Sequence, residues 1–173
     1  MKCLTPAEIN EWMKRHGHHV EPDNVPVLSF DAPGKFPVME CFVECVLRDV
    51  FVHGEILMVV TDTDLGRFRH TRLFEAFRHL TGEIRKMEEA PGFLFLQSEW
   101  QDVVTLFSLT ASFSWKCYLW GDHDQITLFN WEGEIFDIWP GNERGRNATS
   151  DLLTSFNLEK IERKAGENSA NPI

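Results

Sequence analysis

The spacing of apolar residues predicts a series of helices separated by strands along most of the chain. Thr5, Pro6 and Glu8 are typical of a capped helix start and Gly17 of a helix end, so we expect the first helix between them. Apolar residues that recur every three or four positions predict further helices over 38–50, 71–80 and 98–113, and a short one near 151–156. In the third helix this spacing places one set of side chains inward (Leu73, Phe74, Phe77 and Leu80) and another set outward (Arg72, Glu75 and Arg78).

Continuous apolar runs and alternating segments predict the strands. The runs at 56–60 and 93–96 are typical of strands that are covered on both faces, and segment 27–30 is expected to form a further short strand. Segments 117–120, 125–131 and 134–139, with turns at 122–124 and 132–133, predict an antiparallel three-strand meander. We therefore expect a mixed α/β (α+β) fold in a single domain over 1–161, with helices packed on a mixed sheet and the meander at its C-terminal end. The polar segment 162–173 is expected to form a disordered tail.

Composition and charge narrow the function classes. The chain has 173 residues, a mass of 20.1 kDa, 43% apolar residues, 25% charged residues and a formal net charge of −10. No stretch approaches the ~20 apolar residues of a membrane helix, and the first residues lack an apolar signal core. We therefore expect a cytoplasmic protein with no membrane span. The negative charge does not favour nucleic acid as a partner.

The four cysteines indicate neither a zinc ribbon nor a thioredoxin-type redox centre, because the sequence contains no Cys-x-x-Cys motif. Cys41 and Cys45 are four residues apart, which would place them on one face of a helix. Apolar neighbours surround them in the sequence. We therefore expect buried, reduced thiols.

The predicted meander combines aromatic and acidic residues. Between Glu88 and Trp139 there are nine acidic residues and a single basic one, Lys116. A strict two-residue turn at Glu132 and Gly133 would place Phe129 and Phe136 on one face, and a one-residue bulge would regroup the side chains. Under either register, helices cover both faces or one face is a partner surface. The candidate partner-binding residues are Trp120, Asp122, Asp124, Trp131, Glu132, Glu134, Asp137 and Trp139.

A buried strand followed by Asp62 and Asp64 resembles the first motif of haloacid-dehalogenase-type phosphohydrolases. The resemblance implies that Asp62 is the nucleophile, that Asp64 is the acid and base, and that Mg²⁺ binds both carboxylates, with Asp122 as a further metal ligand. Gly66 stands where that family has a threonine, and the motif lies far from the start of the chain.

Segment 73–95 resembles uncharacterised bacterial proteins of unknown function. The resemblance is carried by the runs 73–78 and 89–95 together with Gly82, and then by Trp115. The resemblance implies a bacterial origin, and it assigns no catalytic residue because no activity is known for those proteins.

The leading hypothesis from the sequence is a non-enzymatic domain that binds a protein partner. Its acidic, aromatic surface could neutralise a basic partner, as immunity proteins do, and would need no cofactor. The alternative is the Mg²⁺-dependent phosphohydrolase that uses Asp62 and Asp64. A homodimer formed through the meander is a third hypothesis.

Overall fold

A computed structural model of the protein describes residues 1–18, 28–34, 36–52, 54–61 and 71–161. Within these ranges the helices are α1 (Pro6–His16), α2 (Phe36–Val46), α3 (Thr71–Leu80), α4 (Trp100–Ser112) and α5 (Glu143–Ser155). The strands are β1 (Lys2–Leu4), β2 (Leu28–Asp31), β3 (Ile56–Val60), β4 (Gly92–Phe95), β5 (Cys117–Gly121), β6 (Thr127–Trp131), β7 (Ile135–Trp139) and β8 (Lys160–Ile161). The predicted mixed α/β class is confirmed. The predicted tail over 162–173 lies outside the described residues.

All eight strands belong to one sheet, in the order β1-β4-β3-β5-β6-β7-β2-β8. Each pairing between these strands is antiparallel, so the expected mixed sheet, with its parallel strands, is wrong. A continuous apolar run indicates that both faces of a strand are covered, but it does not indicate the direction of the neighbouring strands. An antiparallel sheet meets that condition equally well when helices pack on both sides. β5, β6 and β7 pair with one another in chain order.

The two faces of the sheet carry separate cores. One face packs on the apolar sides of α2, α3, α4 and α5, and the other packs on Ile9, Trp12 and Met13 of α1. Along the central strands β3 and β5, side chains alternate between the two cores, as the pleat requires. Among the described helices, none is both long and apolar enough to cross a membrane.

α1 forms as its local sequence predicts. The amide of Glu8 donates to the Thr5 hydroxyl at 3.3 Å, and the amide of Thr5 donates to the Glu8 carboxylate at 2.9 Å, which completes a capping box. The Thr5 amide lowers the pKa of Glu8 by this bond. Gly17 ends the helix in the left-handed conformation, with a φ of 71°.

α2 ends earlier than its apolar spacing predicts. The α-helix stops at Val46 and continues as a π-helical segment over Leu47–Phe51. The wider turn keeps Leu47, Val50 and Phe51 buried, which is why the apolar spacing extends through this segment.

α3 has the predicted bounds, but its faces differ from the prediction. Arg78 was expected outward and is 1% exposed, whereas Leu73 and Leu80 were expected inward and are 49% and 86% exposed. The Arg78 guanidinium donates to three backbone carbonyls, those of Ala90 (2.8 Å), Arg85 (2.9 Å) and Lys86 (3.2 Å). These bonds satisfy the buried charge and hold segment 85–90 against the helix.

The cysteines divide into two pairs. Cys3 and Cys117 are buried as expected, and burial raises the pKa of both thiols. The expectation of burial is wrong for Cys41, which is exposed, and Cys45 is half-buried. Neighbouring residues of a helix point about 100° apart, so apolar residues beside a cysteine in sequence need not cover it.

Candidate functional site

The hairpin between β6 and β7 positions the predicted acidic and aromatic residues. Glu132 and Gly133 both have positive φ, 53° and 78°, as a type I′ turn requires, and the Glu134 amide donates to the Trp131 carbonyl at 2.9 Å. Trp131 pairs with Ile135 across the strands, so Glu134 is an extra residue on the β7 side. The connection therefore contains the turn and a one-residue bulge, and the strict two-residue register is not adopted.

This bulge decides which side chains share a face. Phe129 pairs with Asp137 and lies in the core beside α1, whereas Phe136 pairs with Asn130 and lies in the core beside the other helices. Trp139 is opposite Thr127 and joins the α1 side. Of the two arrangements left open by the sequence, burial of both sheet faces is the one observed.

Three of the eight candidate partner-binding residues are in the interior. Trp120 is fully buried, Asp137 is 2% exposed and Trp139 is 7% exposed. Their expected place on an exposed partner surface is therefore wrong. The rings of Trp120 and Trp139 pack in the core beside α1, because that helix covers the sheet face on which they lie.

Four aromatic rings form a continuous ladder on the α1 side of the sheet. Trp120 stacks on Tyr118 with ring centroids 4.7 Å apart, and Tyr118 stacks on Phe129 at 4.0 Å. Phe129 then meets Trp131 edge to face at 4.7 Å. Trp131 is half-buried, so the ladder leads from the core to the surface at the hairpin end.

Polar contacts fix the orientation of the Trp131 ring. Its indole N–H donates to Oδ2 of Asp137 at 2.6 Å, a bond to a buried carboxylate. The Lys116 ammonium lies 5.9 Å from the ring centroid and 3.1 Å from Oε1 of Glu132. The indole is therefore held rigidly while part of its surface faces solvent.

Acidic side chains lie at the same end of the sheet as this indole. Asp31 ends β2 and pairs with Ile135, which in turn pairs with Trp131. Asp31, Glu132 and Glu134 are exposed, and Ile135 is half-buried. We call the set of Asp31, Trp131, Glu132, Glu134 and Ile135 the Trp131 patch. Asp31 was missed in the sequence because β2 is distant along the chain and only the sheet order brings it here.

The other two predicted acidic residues are at the opposite end of the sheet. Asp122 and Asp124 follow β5, whereas Glu132 and Glu134 follow β6, which runs in the reverse direction. A five-residue strand separates the two groups by about 16 Å, so they do not form one surface. Asp124 lies 3.5 Å from the guanidinium of Arg144.

The end of α1 covers the β5–β6 loop, a contact that the sequence did not predict. His16 bonds through Nδ1 to the Asp122 carbonyl at 3.2 Å, and His18 bonds through Nε2 to the Gly121 carbonyl at 2.5 Å. Trp12 stacks on His18, with ring centroids 5.6 Å apart. These two histidines attach the end of the helix to the loop.

The phosphohydrolase residues Asp62 and Asp64 lie outside the described residues. The strand that precedes them ends at Val60, which pairs with Cys117, whereas Asp122 lies beyond Gly121 at the other end of β5. Asp122 is therefore at the opposite end of the sheet from the end of β3. Among the described residues, no group of three or more His, Cys, Asp or Glu side chains could hold a metal ion.

A comparison of the chain with protein-family models, with curated proteins and with solved structures finds no match. The resemblance of segment 73–95 to uncharacterised bacterial proteins therefore stays a prediction, and the geometry of the site is the remaining indication of function.

Proposed function

We propose that this protein is a non-catalytic domain that binds a basic protein partner at the Trp131 patch. The observation that carries the proposal is a half-buried indole, held rigid by Asp137 and Lys116, with three exposed carboxylates at the same end of the sheet. Rigid aromatic side chains with a polar rim are the usual anchors of protein interfaces.

The charges and the indole have different roles in this proposal. Exposed carboxylates contribute only about 0–1 kcal/mol each as ion pairs, so they steer the partner and set its orientation. Lys116 lies within ion-pair distance of Glu132 and offsets the charge of that carboxylate. The carboxylates of Asp31 and Glu134 remain, so the patch keeps a net negative charge. Affinity then comes mainly from burial of the Trp131 and Ile135 side chains. An immunity-type role, in which the domain neutralises a basic protein, is the specific form that we propose.

Affinity capture with charge-reversed variants tests the proposal. The full chain, the double variant Glu132→Lys/Glu134→Lys and a matched control, Glu75→Lys/Asp151→Lys, are used as baits in extracts of the source cells. The control reverses two exposed acidic residues on α3 and α5, which pack on the other sheet face. We expect a basic protein to be retained by the chain and the control, lost by the double variant and released as salt rises.

The purified partner then provides a quantitative test. We expect Trp131→Phe, which keeps a ring but removes the indole N–H and part of its area, to weaken binding at least tenfold. Equal binding by the control and the double variant would place the interface elsewhere on the surface and refute the Trp131 patch.

Two further results would contradict the proposal as a whole. One is Mg²⁺-dependent hydrolysis of phosphate esters that Asp62→Asn abolishes, because it would establish a phosphohydrolase. The other is a homodimer, measured by light scattering at several concentrations, that Glu132→Lys/Glu134→Lys dissociates. That result would identify a second copy of the chain, and not a basic protein, as the partner.

A further inference from the structure

Two of the four cysteines are on the surface of α2, one helical turn apart. Cys41 is exposed and Cys45 is half-buried, and both are free thiols. Cys3 and Cys117, in contrast, are fixed in the core, where they act as small apolar side chains. Cysteine is among the residues most often buried, so a pair of accessible thiols with this spacing is unusual.

We propose that Cys41 and Cys45 form a two-coordinate binding site for a soft monovalent cation of the Cu(I) class. On a helix, the Cβ atoms of residues four apart lie about 5–6 Å from each other. A disulfide requires a Cβ separation of about 3.5–4.5 Å, so direct closure of this pair is disfavoured. A metal atom between the two sulfurs, with bonds of about 2.3 Å, bridges the wider gap by rotation of the side chains alone.

The charge at the site suits a bound thiolate pair. Binding of one monovalent cation breaks two S–H bonds, releases two protons and forms two sulfur–metal bonds, which leaves a net charge of −1. The Arg48 guanidinium donates to Sγ of Cys45 at 3.5 Å and is itself oriented by Asp49 at 2.6 and 2.7 Å. This contact places a positively charged group beside the bound thiolate pair, and a guanidinium has no lone pair with which to compete for the metal.

The number of ligands selects the cation. Zinc in structural sites takes four protein ligands, and among the described residues no group of three or more His, Cys, Asp or Glu side chains could hold a metal ion. Two thiolates are sufficient for Cu(I), which prefers soft sulfur ligands.

The test is a Cu(I) titration of the reduced full chain without oxygen, in competition with the chromophoric chelator bicinchoninate. We expect one Cu(I) per chain and a loss of affinity of at least ~100-fold in Cys41→Ser and in Cys45→Ser, because each substitution leaves a single thiolate. Circular dichroism checks that the variants fold. Reaction with a thiol reagent should count two accessible thiols in the folded chain and four in denaturant.

A spacing variant provides the matched control. Glu40→Cys/Cys41→Ser keeps two thiols on α2 but places them five residues apart, about 140° around the helix. We expect it to bind Cu(I) as weakly as the single serine variants. Binding as tight as that of the unmodified chain, or Cu(I) affinity that survives both serine substitutions, would overturn the proposal, since it would indicate independent thiols or another site.

Discussion

Substitution of Arg78 tests how much its buried, charged side chain on α3 contributes to stability. In Arg78→Met the aliphatic part of the side chain is retained and the three bonds to backbone carbonyls are lost. The Lys86 carbonyl also accepts the amides of Glu89 and Ala90, so it keeps donors. The carbonyls of Arg85 and Ala90 have no other donor among the described residues.

The structure sets the size of the effect. A buried carbonyl left without a donor costs about 1–3 kcal/mol, and the Ala90 side of the loop is fully buried while Arg85 is exposed and can be hydrated. We therefore expect Arg78→Met to lower the free energy of unfolding by about 2 kcal/mol, the middle of the range for the one buried carbonyl. With a urea m-value of about 2 kcal/mol/M, the midpoint of unfolding should fall by about 1 M.

Urea unfolding followed by circular dichroism measures this shift, with Arg72→Met on the exposed side of the same helix as the control. Hydrogen exchange should also speed up in segment 85–90, since Arg78 holds that segment. A loss below about 1 kcal/mol in Arg78→Met, or a loss equal to that of Arg72→Met, would refute the reasoning, because hydrated carbonyls would then be as stable as bonded ones.

Three further substitutions test other local arguments. Gly133→Ala should cost more than Gly82→Ala in urea unfolding, because both have positive φ but an added Cβ at Gly133 meets the α4 carbonyl of Ala111; equal losses would contradict this close contact. The side-chain bond from Arg85 holds the pKa of Glu83 at about 2, below its ordinary 4.5. This stabilisation is present above pH 4.5 and is lost as the pH falls to about 2. Glu83→Gln should therefore make the melting temperature depend less on pH between these values, and an unchanged pH dependence would contradict the role of this bond. Thr5→Ala should lower stability by about 1 kcal/mol, whereas Thr5→Ser should restore most of it if the capping box is responsible.

The parts of the fold that depend on neighbouring residues were predictable from the sequence. α1 has a capping box at its start and a left-handed glycine at its end, and both are determined within a few residues of the chain. β3 and α3 likewise have the bounds that their apolar spacing predicts. α5 was underestimated, because the first half of Glu143–Ser155 is polar and its start depends on the Asn142 cap.

The features that were missed depend on contacts between distant segments. The Arg78 guanidinium is buried where it donates to three carbonyls of the following loop. The spacing of apolar residues along a helix does not indicate where those carbonyls lie. Antiparallel pairing of β3 with both of its neighbours likewise depends on the path of the connections. Of the Trp131 patch, the sequence had already suggested Trp131, Glu132 and Glu134 as candidate residues, but it could not supply Asp31, which reaches the patch only through the order of the strands.

The bulge at Glu134 links the register of the hairpin to the position of the proposed site. Side chains alternate along a strand, so a shift of one residue would move Asp137 from the α1 side to the apolar core beside the other helices. The buried carboxylate would then lose the Trp131 indole as a donor, an arrangement that costs several kcal/mol. The same bond that satisfies Asp137 also orients the Trp131 ring at the surface. The contact that stabilises the register is therefore the one that orients the indole at the proposed binding site.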